Sequence, residues 1–397
     1  MAAGLRASHP SDKMPASSCL LDGMRALRGA VCRVVCHRVQ FAKNLSRRAA
    51  VATWEVACCA GDESLHLVAC ADRVFITVMI DVSSRLDRRL GPVHARQRLG
   101  IEKDHEAQVF GQGLNFFHPE NWYSSHAVIR NVLRLTGLYG RGHRNAARVQ
   151  LRVNTIVSEH LPSGFEGFRL LHLSDLHADM SGAAMERVIE LVTGLGYDIC
   201  VLTGDFRGKT YGPFDAALDG VARVRAALTG PLYAVLGNHD TVCMVPALED
   251  MGIHMLMNEL AVIERSGQRI YLAGIDDAHF FRVDNIEKAA ADLPAKSFSI
   301  LLSHTPEIYR QAAHAGFDVL LAGHTHGGQI CLPGGIPITL DSKLPRAMGA
   351  GPWLYNDMIG YTSVGAGTSI VAARLNCLPE ITLHRFARTP PGQIDRA

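Results

Sequence analysis

From about residue 149 onward, short apolar runs alternate along the chain with stretches whose apolar residues recur every three or four positions. The short runs are typical of buried strands, and the spacing of three and four is that of a helix with one apolar face. Buried strands that alternate with amphipathic helices predict an α/β protein whose sheets are covered by helices. The predicted strands are 168–173, 198–202, 232–236, 270–273, 299–302 and 317–321, and helices are predicted at 185–195 and 214–228.

Polar side chains follow five of these strands directly, at the point where each strand ends. The chain reads SDLH after the first strand, GD after the second, GNHD after the third, SH after the fifth and GHTHGG after the sixth. Ligands of open α/β sheets bind outside the carboxyl ends of the strands, so distant segments can converge there on one site. The expected members of this site are Asp175, His177, Asp205, Asn238, His304, His324 and His326.

These side chains offer nitrogen and oxygen donors without any thiolate, a set that suits Mn²⁺, Fe²⁺, Zn²⁺ or Co²⁺. A single catalytic zinc uses about three protein ligands, so the set is too large for one ion. Two ions that share a bridging carboxylate would use every donor. Such ions, roughly 3.5–4 Å apart, polarise a phosphoryl group together and lower the pKa of a bridging water. The donor set therefore predicts two divalent ions and phosphoester hydrolysis by a bridging hydroxide. Among the four ions we expect Mn²⁺ first, and the donors leave the other three open.

The ordered motifs DLH, GD, GNHD, SH and GHTHGG resemble those of the calcineurin-like metallophosphoesterase superfamily. The GHTHGGQ ending resembles the corresponding motif of a bacterial branch of this superfamily, which includes membrane-associated phosphodiesterases and UDP-2,3-diacylglucosamine hydrolases. The resemblance implies an α/β fold with a two-sheet β-sandwich core flanked by helices. It also implies how the ligands divide: Asp175, His177 and His326 on the first metal, Asn238, His304 and His324 on the second, and Asp205 bridging both.

Three residues beside the expected ligands have predicted roles in turnover. The resemblance implies that His239 contacts the phosphate, together with Asn238, and assists departure of the leaving group. Asp240 is the neighbour expected to orient the His239 imidazole. Arg207, in the GDFRG segment, is expected to contact the substrate phosphate.

The first part of the chain differs in composition from the rest. Residues 1–50 carry nine basic residues against two acidic ones, although the whole chain, with 40 Lys plus Arg and 38 Asp plus Glu, has a net charge of only +2. Six of the ten cysteines lie before residue 71, at spacings unsuited to a closed zinc site. We interpret residues 1–109 as a basic, Cys-rich, poorly ordered extension. The small net charge gives no sign of nucleic-acid binding, and no apolar run reaches the roughly 18 residues of a membrane span.

Residues 110–148 combine aromatic side chains and arginines with a helix predicted from about Ser124 to Leu138. Two interpretations stay open: a helix packed against the catalytic domain with solvated arginines, or an element that binds acyl chains or a membrane surface. Residues 149–388 form the predicted catalytic domain, and 389–397 a tail. The expected location is the cytoplasm, peripheral to the inner membrane.

The sequence predicts a phosphodiester or pyrophosphate substrate and leaves its identity open. Loop residues expected to shape a pocket for a lipid- or nucleotide-linked phosphoester are Phe280, Phe281, Arg282 and Trp353. A phosphomonoesterase is one alternative, because the donor set does not separate the two ester types. A non-catalytic interaction module that binds metal on the same fold is the other.

Overall fold

The computed structural model describes residues 52–57, 64–70, 73–77, 82–107 and 123–389, with side chains in 82–107 and 127–389. The chain divides into two compact units, Met1–Ser84 and Arg85–Ala397. In the described part of the first unit, three strands form an antiparallel sheet: β1 (Ala52–Ala57), β2 (Ser64–Cys70) and β3 (Arg73–Thr77). The early cysteines Cys19, Cys32 and Cys36, and the aromatic residues of 110–122, lie outside the described residues.

The second unit contains all the other described elements. Its helices are α1 (Val82–Leu90), which spans the division, α2 (Pro92–Ala107), α3 (Tyr123–Leu135), α4 (Tyr139–Ala146), α5 (Gly182–Val192), α6 (Asp215–Ala227), α7 (Val245–Asp250), α8 (Ile286–Ala289) and α9 (Tyr309–His314). Its strands are β4 (Gln150–Val157), β5 (Arg169–Leu173), β6 (Ile199–Leu202), β7 (Leu232–Ala234), β8 (Ile253–Met255), β9 (Glu259–Arg265), β10 (Gln268–Gly274), β11 (Ser299–Leu302), β12 (Val319–Ala322), β13 (Cys331–Leu332), β14 (Ile336–Pro337), β15 (Gly351–Tyr355), β16 (Met358–Thr362) and β17 (Glu380–Ala387). None of the helices in these described ranges is long and apolar enough to cross a membrane.

The boundary between the two units lies at residues 84 and 85, well before residue 109, where the extension is predicted to end. Helix α2 and most of α1 belong to the second unit, because their arginines form ion pairs with carboxylates of that unit. Arg89 on α1, for example, forms ion pairs of 2.6 Å with Glu249 and with Glu259. The division also does not mark residue 149, so the start of the catalytic domain there stays a prediction.

Two six-stranded mixed sheets form the centre of the second unit, as the α/β sandwich expectation requires. One has the order β4-β17-β5-β6-β7-β8 and the other β15-β16-β12-β11-β10-β9. Every predicted strand and helix of this unit is present, and its ends shift by no more than three residues. Within each sheet the strands that end in polar motifs are neighbours and parallel: β5, β6 and β7 in the first, β11 and β12 in the second.

The strands are buried on both faces, because each sheet lies between the other sheet and a helical layer. In β5 the alternation is visible: Leu170 faces the space between the sheets, whereas Leu171 and Leu173 pack with residues of α5 and α6. Helix α9 covers the outer face of the second sheet through Tyr309. In this layered arrangement the carboxyl ends of the five motif strands lie close together. The candidate site lies at these strand ends.

Candidate metal centre

The first donor group consists of Asp175, His177, Asp205 and His326, all buried, with ligand atoms within 4.8 Å of one another. The Nε2 atoms of His177 and His326 are 3.1 Å apart, and His326 Nε2 lies 3.5 Å from Asp175 Oδ1. These residues come from the ends of β5, β6 and β12, so both sheets contribute. The structure therefore brings together the residues expected on the first metal.

The second donor group consists of Asn238, His304 and His324. Asn238 Oδ1 lies 2.8 Å from His304 Nε2 and 2.9 Å from His324 Nδ1. Asp205 lies between the two groups, since its Oδ2 is 3.6 Å from His177 Nε2 and 3.4 Å from His304 Nε2. All seven predicted ligands thus form one continuous cluster.

The hydrogen bonds of the imidazole rings show what the cluster can hold. In three histidines one ring nitrogen lies 2.7 Å from a backbone carbonyl oxygen and donates to it: Nδ1 of His177 to Arg207, Nδ1 of His304 to Thr203 and Nε2 of His324 to Asp341. In the neutral ring the other nitrogen then presents a lone pair to the cluster. The Asn238 carbonyl oxygen faces two such lone pairs, an arrangement that a cation between them would satisfy. The donor set therefore fits divalent metal ions.

The electrostatics of the cluster also favour a cation. Burial raises the pKa of Asp205, but the nearby His304 and His239 outweigh it and hold that pKa well below its ordinary value. Burial lowers the pKa of His304, and the carboxylates of Asp205 and Asp175 outweigh it and raise the pKa to about 10. Without a metal, a proton on His304 supplies the positive charge that the buried carboxylates require.

Buried hydroxyl groups orient the Asp175 carboxylate. Ser174 Oγ donates to Asp175 Oδ2 at 2.6 Å, and Thr203 Oγ1 donates to Ser174 Oγ at 2.7 Å. His172 Nε2 lies 2.8 Å from Thr203 Oγ1, and burial lowers the pKa of this histidine to about 3, so the ring is a neutral partner. His172 is thus a buried strand residue that supports Asp175 indirectly, through Thr203 and Ser174.

The backbone at the ligands is strained. Five of the predicted ligands have a positive φ, a region that costs non-glycine residues on the order of 1 kcal/mol each: Asp175 (51°), His177 (39°), Asp205 (58°), His324 (70°) and His326 (49°). Glycines allow the loops to approach closely, since a Cβ at Gly237 would overlap the Asp205 carboxylate and one at Gly323 the Ser174 hydroxyl. The turns that aim the donors inward therefore depend on both features.

His239 lies beside the cluster, as predicted. Its ring is 5.2 Å from the His177 ring between centroids, and its Nδ1 lies 3.2 Å from Thr210 Oγ1. The expected contact with Asp240 is wrong: that carboxylate accepts the backbone N–H groups of Asp205 at 2.8 Å and Gly237 at 2.9 Å. Asp240 therefore fixes the backbone of two ligand loops, and Thr210 is the hydroxyl that holds the imidazole.

The expected contact between Arg207 and substrate is also wrong. Its side chain is buried, with Nε donating to the carbonyl of His239 at 2.5 Å and Nη1 to that of Gly212 at 2.9 Å. Nη2 donates to the carbonyl of Thr210. The guanidinium is thus committed to backbone carbonyls, and it links the loop of Arg207 to the loop of His239.

The loop residues expected to shape a pocket have other roles as well. Phe280 and Phe281 are buried in a small cluster with Ile101 of α2, and the Trp353 ring packs over Gly360. Arg282 donates from Nε to the carbonyl of His279 at 3.3 Å. These contacts leave none of the four lining the cavity at the donor groups.

His279, which is not among the predicted site residues, lies against the second donor group. Its ring centroid is 4.2 Å from that of His324, and its Nδ1 lies 3.0 Å from Glu307 Oε2. The neighbouring Asp341 brings the ligand atoms of His279, His324 and Asp341 within 4.8 Å of one another. Neither residue belongs to a motif, so only the fold reveals them.

Helix α2 clamps the loops around the cluster from outside. Arg98, with no exposed surface, forms ion pairs of 3.2 Å with Glu102 and 3.3 Å with Asp276, and donates to the carbonyl of Asp240 at 3.1 Å. Glu102 accepts the backbone N–H of Val242 at 2.8 Å. The predicted extension therefore supplies part of the support for the catalytic loops.

We expect Arg98→Met to lower the free energy of unfolding by about 3–5 kcal/mol, because it leaves the buried Asp276 carboxylate without its cation. Urea unfolding of the metal-loaded protein measures this. Arg96→Met is the matched control, since the Arg96 side chain is exposed on the same helix and its Nε donates to the carbonyl of Pro92 at 2.8 Å. Equal stability of the two variants would contradict the clamp.

Comparisons with known proteins agree with this geometry. The family model described as calcineurin-like phosphoesterase matches residues 168–328. An uncharacterized metallophosphoesterase of Bacillus subtilis (strain 168), YkoQ, is 32% identical over 259 residues, which cover 62% of this chain and 93% of that protein. A transmembrane protein with metallophosphoesterase domain of Danio rerio is 30% identical over 64% of this chain and 60% of its own length. Phosphodiesterase YaeI of Escherichia coli (strain K12) is 27% identical over 54% of this chain and 81% of its own.

Proposed function

Since the chain belongs to the calcineurin-like phosphoesterase family, and is therefore a metal-dependent hydrolase of phosphoric ester bonds, we propose that it uses two divalent ions to cleave a phosphodiester or pyrophosphate bond. Mn²⁺ is the foremost ion, with Fe²⁺, Zn²⁺ and Co²⁺ as alternatives that the same nitrogen and oxygen donors accept. The substrate is proposed to be lipid- or nucleotide-linked. A cytoplasmic location peripheral to the inner membrane stays a prediction.

The observation that carries the two-ion proposal is the position of Asp205. One carboxylate oxygen lies within 3.6 Å of a histidine of the first donor group and 3.4 Å of a histidine of the second. A carboxylate between two donor groups is the ligand that neighbouring ions share. We assign Asp175, His177 and His326 to one ion and Asn238, His304 and His324 to the other.

When bound, the two ions would polarise the phosphoryl group and activate a water nucleophile. The chain's own contribution is position. His239 lines the cavity at the donor groups, held through Thr210, and we assign to it a hydrogen bond to the phosphate and assistance to the departing oxygen. The Asp240 carboxylate accepts backbone N–H groups from both the Asp205 loop and the Gly237 loop. It therefore fixes the position of His239 relative to the proposed bridging carboxylate.

Two observations support a diester over a monoester. No arginine or lysine is among the described residues that line the cavity at the donor groups, and a phosphomonoester dianion gains more from such cations than a diester does. One relative carries the name phosphodiesterase. Phosphomonoesterase activity and a non-catalytic role are the alternatives that an assay separates.

We expect metal-free protein to bind two equivalents of Mn²⁺ by calorimetry and to hydrolyse bis-p-nitrophenyl phosphate faster than p-nitrophenyl phosphate. Binding of a single equivalent at full activity would refute the two-ion assignment. A faster monoester reaction would favour the phosphomonoesterase. If the protein binds two ions but turns over neither ester with any of the four metals, the non-catalytic interaction module is the remaining alternative.

A further inference from the structure

A cavity of about 440 Å³ opens directly from the donor groups. At one end it is lined by Asp205, His239, His324 and His326, and much of its wall is aliphatic. The aliphatic residues come from α3 and from the segments after the last two ligands and before β17: Val128, Ile129, Val132, Leu133, Ile330, Ile338, Ile370 and Val371. The space is therefore continuous with the place where the phosphoester would be cleaved.

The aliphatic wall is fixed to the metal centre. The Gln329 side chain, in the GHTHGGQ motif, donates to the carbonyls of Ser369 at 2.8 Å and Val371 at 3.0 Å. It also accepts the backbone N–H of Ser369 at 2.8 Å. Ile370, between these anchors, has a φ of 62°, which is unusual for a β-branched residue. The loop is held in a conformation that Ile370 would not adopt by itself.

Helices α3 and α4 both contact the segment that precedes β17, which carries Ile370 and Val371. Leu133 of α3 is buried with Val371 and Leu375, and the backbone N–H of Arg374 donates to the carbonyl of Gly142 in α4 at 2.9 Å. The buried Arg374 guanidinium in turn donates from Nη1 to the carbonyl of His326 at 3.2 Å. The helix that carries half of the aliphatic lining therefore has a defined position relative to a ligand loop.

The lining favours hydrocarbon over a nucleotide. Val128, Val132 and Ile338 keep 60%, 51% and 55% of their surface exposed, so aliphatic surface faces the opening. Among the described residues, none of the lining is Phe, Tyr or Trp to stack a base, and none is Arg or Lys to pair a further phosphate. Such a wall gains free energy when methylene groups leave water against it.

We propose that this cavity binds a hydrocarbon chain of the substrate, so that the preferred substrate is a phosphodiester or pyrophosphate with an alkyl or acyl chain near the scissile bond. This inference rests on the proposed hydrolysis at the donor groups. The proposed occupant of the aliphatic wall is the hydrocarbon chain of the substrate molecule itself, because the wall is continuous with the metal centre that would hold the phosphate of that molecule.

The test is a series of alkyl p-nitrophenyl phosphodiesters, from methyl through butyl to octyl, assayed with Mn²⁺ below the concentrations at which they aggregate. Each methylene that enters the cavity can raise kcat/KM up to about fourfold. We expect the octyl ester to exceed the methyl ester by at least about 100-fold. A flat series with normal methyl ester turnover would overturn the inference and spare the proposed function, whereas no turnover of any ester would count against the function itself.

Two variants show where the chain binds. Val132→Asp and Ile338→Asp place a carboxylate on two separate segments of the wall, α3 and the segment after β14, and we expect each to lower the octyl-to-methyl ratio at least about tenfold. Leu135→Asp is the matched control on the same helix, because Leu135 is 87% exposed and does not line the cavity. Its ratio should stay unchanged. A preference for octyl that appears only with aggregated ester, or that survives in both wall variants, would indicate surface adsorption and overturn the inference.

Discussion

Asp205→Ala is expected to lose bound metal and to lower kcat at least about 10³-fold. The carboxylate lies between both donor groups, and its Oδ1 also accepts the backbone N–H of His239 at 2.9 Å. Its removal takes negative charge from both proposed ion positions at once. Metal analysis after gel filtration, together with the diester assay, measures both effects.

A second variant and a control make this result specific. Asp205→Asn keeps the size of the side chain and removes its charge, so it should also bind metal weakly if charge is what holds the two ions. Asp292→Ala removes an exposed carboxylate that is remote from the ligand motifs and should leave metal content unchanged. Two tightly bound ions in Asp205→Ala would contradict the bridging role.

The sequence predicts the strands of this protein, and which polar side chains lie together at their ends, for a local reason. A buried strand followed by a polar turn is encoded by adjacent residues, and parallel neighbours bring the turns together. Thus Asp175 and His304 lie in one cluster, as the strand ends predict, although 129 positions separate them in the printed sequence. The proposal that they share a metal centre rests on the order of strands in the sheets and on the resemblance of the motifs.

The roles that failed depend on side-chain direction, which adjacency in sequence does not give. Asp240 follows His239 directly, yet its carboxylate turns toward the backbone N–H groups of Asp205 and Phe206. Arg207 lies in a ligand loop, but neighbouring carbonyls take up its guanidinium. In both cases buried backbone groups that need partners determined where the side chain went.

The support from helix α2 could not be predicted, because it depends on long-range charge pairing. Arg98 and Asp276 are 178 positions apart in the printed sequence and pair without any exposed surface. In the sequence, Arg98 is one more basic residue in a polar helix. Only packing shows that it neutralises buried carboxylates beside the catalytic loops.

His239→Ala should differ from Asp205→Ala in keeping its metal: we expect unchanged metal content and a fall in kcat of about 10²–10⁴-fold. The imidazole is a neighbour of the donors and not one of them, and burial lowers its pKa to about 4, so the ring is neutral and acts through hydrogen bonds. His160→Ala, at an exposed ring that contacts Asp318 far from the cluster, is the control.

The leaving group separates the two ways in which His239 could act. If the ring gives a proton to the departing oxygen, His239→Ala should slow an ester with a poor alcohol leaving group far more than one that releases p-nitrophenolate, which departs without a proton. If the ring only stabilises charge on the phosphoryl oxygens, both esters should slow equally. We expect the second result, because burial keeps the ring neutral, and a neutral imidazole held by Thr210 at the edge of the cavity can donate a hydrogen bond but has no acidic proton to give up. Loss of metal from His239→Ala would instead make it a ligand and end both interpretations.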